Sequence, residues 1–245
     1  MIRKVLIRRL QRVFLILSIV LFAGIVYLAV TGVGYLRPRT IERLILITPT
    51  PERNVVALIT PTPERNAVAL ISGHTGFDSG AICGESNSPT LLEVDVVANI
   101  AELVRERLEA AGLEVLVLEE YDARLTDLDS KLLLSLHADS CIAASGFKAT
   151  HPLNSAIPTT EKRLIACINT EYAAQTGLSL HANSITHDMT YYHAFRKVLP
   201  TTPTAILELG FLGGDGQLLT QEADRVAAGI TESIFCFLQG TTTAQ

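Results

Sequence analysis

The sequence predicts an α/β domain whose sheet has parallel character, preceded by one transmembrane helix. Two observations support this prediction. A long apolar run lies near the amino terminus, and beyond residue 66 short apolar runs alternate with segments of helical periodicity. The chain has 245 residues, enough for one sizeable core but hardly for two.

The apolar run from Val13 to Leu36 has 24 residues and no charge. A helix of this length, rising ~1.5 Å per residue, spans the ~30 Å hydrocarbon layer of a membrane. No polar face recurs at helical spacing, which argues against a buried core helix. The run is longer than the ~7–15 residues of a signal-peptide core and lacks a small-x-small cleavage site. Residues 13–36 are therefore predicted to be an uncleaved anchor.

Charge predicts the orientation of this anchor. Five basic residues and no acidic residue precede it, whereas three arginines and one glutamate follow it closely. The heavier basic flank stays inside, so residues 1–12 are predicted to be cytoplasmic and the rest of this single-pass cell-membrane protein to lie outside. Residues 1–66 carry a net charge of +7 and residues 67–245 a net charge of −12. An external domain this acidic is a poor partner for nucleic acid.

A twelve-residue phrase is duplicated between the anchor and the domain, at Ile47–Leu58 and Ile59–Leu70, with Val55 in one copy and Ala67 in the other. Its Thr-Pro-Thr-Pro start fits neither a helix nor a central strand, because proline lacks an N–H and fixes φ. We expect residues 37–66 to be a stiff linker, and the apolar end of the second copy to be the first strand of a domain over residues 67–240. Residues 241–245 are a short tail.

The remaining elements follow in order. A glycine-rich loop is predicted from His74 to about Pro89, and Thr90–Glu93 has the form of a capping box opening a helix that Gly112 ends. The later predicted strands are Leu113–Leu118, Leu132–Leu136, Gly146–Thr150 and Ala205–Leu209, and the later helices are Glu161–Gln175 and Gln221–Leu238.

Chemistry-bearing residues stand at the ends of these strands. His74 follows the first strand, His137 follows Leu132–Leu136, and Glu208 lies near the end of Ala205–Leu209. Ligands of open α/β sheets bind beyond the carboxyl ends of the strands, so these side chains are expected to converge there. Glu93, in the first turn of the first helix, is expected to face the same rim.

Two histidines and a glutamate with one open position form the ligand set of a catalytic zinc ion. His74, Glu93 and His137 are the candidate ligands, and Glu208 is the candidate base that moves a proton from water to a leaving amine. Each residue also has a simpler interpretation: His74 as a turn residue, Glu93 as a cap, His137 as a core histidine and Glu208 as an ion-paired carboxylate. Their shared position at one sheet edge favours the functional interpretation.

Three further groups of residues leave alternatives open. Cys83, Cys141, Cys167 and Cys236 lack a Cys-x-x-Cys spacing and could be buried thiols or disulfides. Cys83 and Cys141 each follow a candidate ligand histidine and could bridge. Tyr191, Tyr192 and Arg196 are possible substrate-groove residues, although packing and solvated charge also explain them. His187 and His193 are extra candidate ligands or surface histidines.

At these positions the sequence resembles the zinc-dependent N-acetylmuramoyl-L-alanine amidases of bacterial cell walls. The resemblance rests on ALISGHTGFDSGA, LLEVDVVANIAELVRERLEAAGLEV, LLLSLHADS and TPTAILELGFL, in this order. It implies a single domain with a twisted, mostly parallel or mixed sheet flanked by helices. It also implies one Zn²⁺ held by His74, Glu93 and His137, with Glu208 as the catalytic carboxylate. The implied substrate is peptidoglycan, cut between N-acetylmuramic acid and L-alanine.

Two other functions are consistent with the same residues. One is a peptidoglycan-binding protein that has this fold without catalysis. The other is a zinc peptidase or deacylase with a different substrate, which would need the same ligands.

Overall fold

The computed structural model describes residues 14–15, 17–18, 20–22, 66–85 and 88–240. Most of the predicted anchor, the linker with the first copy of the duplicated phrase, and the tail lie outside these residues. The described part of the anchor region is helical and exposed. Among the described residues, no helix combines the length and apolar character needed to cross a membrane.

A five-stranded sheet forms the centre of the domain, with strand order β4-β1-β5-β7-β6. All neighbouring strands are parallel except β6, which runs antiparallel to β7. A separate hairpin pairs β2 with β3. The strands are β1 Val68–Ser72, β2 Ile82–Glu85, β3 Ser88–Leu92, β4 Val115–Leu118, β5 Leu132–Asp139, β6 Lys148–Thr150 and β7 Thr204–Phe211.

Helices connect these strands and cover the sheet. Among them, α2 continues through a π-helical turn at Ile168–Tyr172 into α3. Gly177 ends α3 in a left-handed conformation, as its position predicts. The helices are α1 Glu93–Ala110, α2 Pro158–Cys167, α3 Ala173–Thr176, α4 His187–Thr190, α5 Gly216–Gln221 and α6 Ala223–Gly240.

Both faces of the sheet are buried, as expected where parallel strands are covered on each side. Side chains alternate along β1: Val68 and Leu70 enter one apolar cluster with α1 and α6, whereas Ala69 and Ile71 enter a second. Met189, Tyr192 and other residues of the segment before β7 cover this second cluster. Every residue of β1 is buried, so the second copy of the duplicated phrase does supply the first strand.

Two local predictions are wrong. The glycine-rich loop contains the β2–β3 hairpin, and the predicted capping box is absent because Thr90 belongs to β3 and donates its hydroxyl to the Cys83 carbonyl. Leu92 is the N-cap and makes no side-chain cap. The carboxylate of Glu93 accepts hydrogen bonds from Ala81 before β2 and from Ala138 in β5 rather than from its own helix end.

All four cysteines form disulfides. Cys83 pairs with Cys141, the bridge that the sequence left open as one alternative, and ties β2 to the loop after β5. Cys167 pairs with Cys236 and ties the end of α2 to α6. Each bridge closes a long loop, with sequence separations of 58 and 69 residues, so each removes much conformational entropy from the unfolded chain.

Candidate metal centre

The first histidine of the site lies in a tight turn after β1. His74 has a φ of 65°, a left-handed conformation that non-glycine residues seldom adopt. The turn packs closely on β5: a Cβ on Gly73 would lie 2.5 Å from the Leu136 carbonyl oxygen and 2.6 Å from the His137 ring. Glycine is therefore required at residue 73, and this close approach places the His74 ring beside His137.

Glu93 occupies the first position of α1 and is 5% exposed. Its Oε2 accepts a hydrogen bond from the Ala81 N–H at 2.9 Å, and its Oε1 accepts one from the Ala138 N–H at 3.0 Å. These two amides lie on opposite sides of the site, before the hairpin and at the end of β5. The carboxylate is thus fixed in place without help from a metal.

His74, Glu93 and His137 come together at the carboxyl ends of β1 and β5. Their potential ligand atoms all lie within 4.8 Å of one another. Glu93 Oε1 is 3.1 Å from His74 Nε2 and 3.2 Å from His137 Nδ1. Tetrahedral zinc with ligands at ~2.0–2.1 Å places ligand atoms roughly 3.3 Å apart. The donor types and both spacings therefore fit a zinc ion.

The second nitrogen of each histidine faces a carboxylate. His74 Nδ1 lies 2.5 Å from Asp78 Oδ1, and His137 Nε2 lies 3.4 Å from Glu120 Oε2. Metal-binding histidines in proteins commonly donate their other N–H to such a carboxylate, which fixes the ring and its tautomer. This orientation leaves His74 Nε2 and His137 Nδ1 as the nitrogens that point to the centre.

The pKa values of the metal-free cluster show that it attracts positive charge. Burial opposes charge on His137, but hydrogen bonds to Glu120 and Glu93 outweigh it and raise its pKa to about 10. The hydrogen bond to Glu93 raises the pKa of His74. Although burial opposes it, the two histidines and the two amides lower the pKa of Glu93 to about 2. A divalent cation can supply the same positive charge in place of these protons.

Glu208 lies next to the cluster on β7, paired in register with His137 on β5. Its Oε2 is buried and has no hydrogen-bond partner. Burial raises the pKa of Glu208 to about 7, the Glu93 charge adds to this, and His137 and Lys148 oppose it. Lys148 lies opposite Glu208 where β6 is hydrogen-bonded to β7, but its ammonium group forms an ion pair with Asp139 instead. A carboxyl group with a pKa near neutrality can both accept and donate a proton.

Sequence analysis missed Glu120, the most connected carboxylate near the site. It is 5% exposed and accepts hydrogen bonds from the His74 backbone N–H at 3.0 Å, the Tyr192 hydroxyl at 2.8 Å and His193 Nε2 at 2.8 Å. Burial opposes the charge of Glu120, but His137, His193 and the His74 backbone N–H outweigh burial and hold the pKa of this carboxyl well below the usual range of glutamate. Glu120 lies two residues after β4, at the same edge of the sheet as the histidines. This position in the sequence could have identified it as a residue of the site.

The predicted groove residues Tyr191, Tyr192 and Arg196 share one pocket of about 160 Å³. Tyr191 and Arg196 are exposed, whereas Tyr192 is buried and its hydroxyl lies 3.4 Å from His137 Nε2. His193 belongs to the Glu120 network, and exposed His187 stacks on Tyr191. Neither histidine belongs to the His74–Glu93–His137 cluster.

The fold and the site together define a class: an α/β protein with a two-histidine, one-glutamate centre at the carboxyl ends of parallel strands. Comparison with protein families makes this specific, because residues 68–236 match the N-acetylmuramoyl-L-alanine amidase family model. The match covers more than half of the chain, so the chain belongs to this family of cell-wall amidases. The resemblance found in the sequence is thereby confirmed.

Solved structures of such enzymes are similar to this chain. The catalytic domain of CwlV, an amidase from Bacillus (Paenibacillus) polymyxa var. colistinus, has 25% identity and a TM-score of 0.55, covering 71% of this chain and 98% of that one. The CwlD amidase of Clostridioides difficile, in complex with the GerS lipoprotein, has 18% identity, a TM-score of 0.55 and coverages of 71% and 99%. AmiC2 of Nostoc punctiforme has 21% identity, a TM-score of 0.53 and coverages of 71% and 98%. A search of the curated proteins finds no match.

The raised pKa of Glu208 predicts how pH affects stability in chelator-treated protein. The folded pKa of about 7 exceeds the ordinary 4.5, so between these values the folded state binds more protons than the unfolded state. The contribution of Glu208 to stability therefore falls as pH rises from 4.5 to 7. We expect wild type to lose on the order of 2–3 kcal/mol more than Glu208→Gln across this range. Urea unfolding at several pH values measures the free energy of unfolding of both proteins. If this free energy changes with pH equally in wild type and in Glu208→Gln, the raised pKa of Glu208 is contradicted.

Proposed function

We propose that this chain uses zinc to hydrolyse the amide between N-acetylmuramic acid and L-alanine of the peptidoglycan stem peptide. The observation that carries the proposal is the convergence of His74, Glu93 and His137 beside Glu208 in a member of the amidase family. Both histidine–carboxylate spacings suit a tetrahedral ion.

The residues divide the chemistry between them. His74, Glu93 and His137 would hold the zinc ion, which would supply Lewis-acid chemistry toward the amide carbonyl and the attacking water. Glu208, whose Oε2 has no hydrogen-bond partner among the residues that the structure describes, takes the proton of the attacking water. It then gives this proton to the nitrogen of L-alanine as the C–N bond breaks, so the products are a lactyl carboxylate and a free stem peptide with an amino terminus.

Mass spectrometry of the products released from purified cell wall tests this proposal. We expect free stem peptides beginning with L-alanine, their loss on treatment with a chelator, and their return with zinc. His137→Ala should lose both metal and activity. Glu208→Gln should keep the metal and lose about 10²–10⁴-fold in turnover, the usual contribution of a general acid–base group.

Matched substitutions at exposed positions serve as controls. His181→Ala and Glu232→Gln change residues of the same types at exposed positions outside the cluster and should retain both metal and turnover. Zinc binding without any released peptide would favour the peptidoglycan-binding alternative. Cleavage of a different bond would favour a zinc peptidase or deacylase. Full turnover in Glu208→Gln would show that another group is the base.

Glu120 provides a second test of the metal site. Its carboxylate faces His137 Nε2 and accepts from the His74 backbone N–H, so it orients the turn and ring that carry the proposed ligands. We expect Glu120→Gln to weaken zinc binding by about 10–100-fold. Competition with a chromogenic chelator measures the affinity. Glu119→Gln, at the exposed neighbouring position, is the control, and equal affinity in both variants would contradict this role.

We further propose that the domain lies outside the cell, tethered by residues 13–36 with the amino terminus in the cytoplasm. The uncharged 24-residue run and its basic flank support this proposal. The two disulfides add support, since such bonds persist mainly in oxidising compartments. The substrate, a wall polymer, also lies outside.

Membrane fractionation tests the tether. The full chain should stay with membranes after an alkaline carbonate wash, because a spanning helix resists extraction that removes surface-bound proteins. A variant lacking residues 13–36 should appear in the soluble fraction. Recovery of the full chain in the carbonate supernatant would contradict the proposal.

A further inference from the structure

Two aromatic side chains lie together in solvent beside the metal centre. Phe77 is 62% exposed and Tyr121 is 52% exposed, and their rings meet edge to face with centroids 4.7 Å apart. A single exposed apolar side chain is ordinary, whereas adjoining large ones that stay exposed are typical of a binding surface. We call Phe77 and Tyr121 the aromatic pair.

The aromatic pair belongs to the two loops that carry the metal centre. Phe77 lies in the turn after β1, and its N–H donates to the His74 carbonyl at 2.9 Å. Tyr121 follows Glu120, whose N–H donates to the Thr75 carbonyl at 3.1 Å and whose carboxylate accepts from the His74 N–H at 3.0 Å. These bonds join the two loops, so the pair is held at a fixed position close to His74.

Tyr121 supports Phe77 from the protein side. The Tyr121 ring stacks on the ring of His193 with centroids 4.3 Å apart, and Lys197 Nζ lies 5.2 Å from the Tyr121 ring centroid. His193 is in turn hydrogen-bonded to the buried carboxylate of Glu120. Phe77 is therefore the more exposed ring of the pair, and Tyr121 is its brace.

The strand order places the aromatic pair and Glu208 on opposite sides of the metal centre. The carboxyl ends of β4, β1, β5 and β7 follow one another along one edge of the sheet. Glu208 lies on β7, the two histidines lie at the ends of β5 and β1, and Tyr121 follows β4. At ~4.8 Å between neighbouring strands, β4 and β7 are roughly 14 Å apart. A substrate that crosses the centre thus has Glu208 on one side and the aromatic pair on the other.

The amidase reaction assigns one part of the substrate to each side, and this step rests on the proposed function. Glu208 gives its proton to the nitrogen of L-alanine, so the stem peptide leaves on the β7 side. The other substituent of the scissile carbonyl is the lactyl group of N-acetylmuramic acid, which therefore extends toward β4. The sugar that carries this group is the part of the substrate that reaches Phe77.

We propose that Phe77 stacks on a pyranose ring of the glycan strand, with Tyr121 holding the Phe77 ring in place. The face of an aromatic ring is negative, and the C–H hydrogens on one face of a pyranose carry a small positive charge. The same contact removes apolar surface of both rings from water. Phe77 is thus a specificity residue that favours sugar-bearing substrates over peptides that carry only a lactyl group.

Saturation-transfer NMR titration of the full-length, chelator-treated protein tests the proposal, with a peptide-free disaccharide of N-acetylglucosamine and N-acetylmuramic acid as the probe. We expect saturable binding that Phe77→Ala and Phe77→Leu each weaken by about five- to tenfold, since both remove the aromatic face. Phe77→Tyr should bind as wild type does. Leu153→Ala is the control, because Leu153 is 64% exposed and follows β6 at the opposite edge of the sheet from β4.

Three outcomes would overturn this assignment. The first is no saturable binding of the disaccharide. The second is equal affinity in wild type and in either Phe77→Ala or Phe77→Leu. The third is binding of the free stem peptide that Phe77→Ala weakens as much as it weakens binding of the disaccharide, which would place the peptide on this ring. Because the titration involves neither metal nor turnover, its failure is separable from failure of the proposed amidase reaction.

Discussion

The carboxylate of Glu93 is the interaction on which the rest of the site depends. Its two oxygens accept amide hydrogen bonds from Ala81, just before β2, and from Ala138, near the end of β5. The same carboxylate contacts the rings of both histidines. A single buried group thus joins the turn after β1, the start of α1 and the end of β5. Two backbone amides and two histidine rings contact this carboxylate, offset the desolvation of its charge and fix its position.

Sequence was a sufficient guide where periodicity and strand ends decide the outcome. The strand over Val68–Ile71 and the strand containing Glu208 were both predicted correctly. A short apolar run bounded by glycine or polar residues is typical of a buried strand. The parallel arrangement then places the residues that follow these strands at one edge. This reasoning predicts that His74, Glu93 and His137 converge, and the structure brings them together.

Contacts between distant segments of the chain determine the features that the sequence did not predict. Thr90 and Glu93 have the spacing of a helix cap, but pairing of β2 with β3 places Thr90 in a strand instead. Glu120 and Tyr192 are 72 residues apart, and no local pattern indicates that their side chains meet. The same holds for Glu161 and Thr204, whose contact depends on how α2 packs against β7. Long-range contacts of this kind arise from the whole fold rather than from any short motif.

The in-register row formed by His137, Glu208 and Lys148 crosses three adjacent strands. Because side chains alternate along a strand, a shift of one residue in the central member would turn its carboxylate into the opposite apolar layer. An insertion or deletion within β5 or β7 would therefore break this row, whereas one in a connecting loop would leave it intact. The alignment of these strands therefore decides whether Glu208 faces the His74–Glu93–His137 cluster.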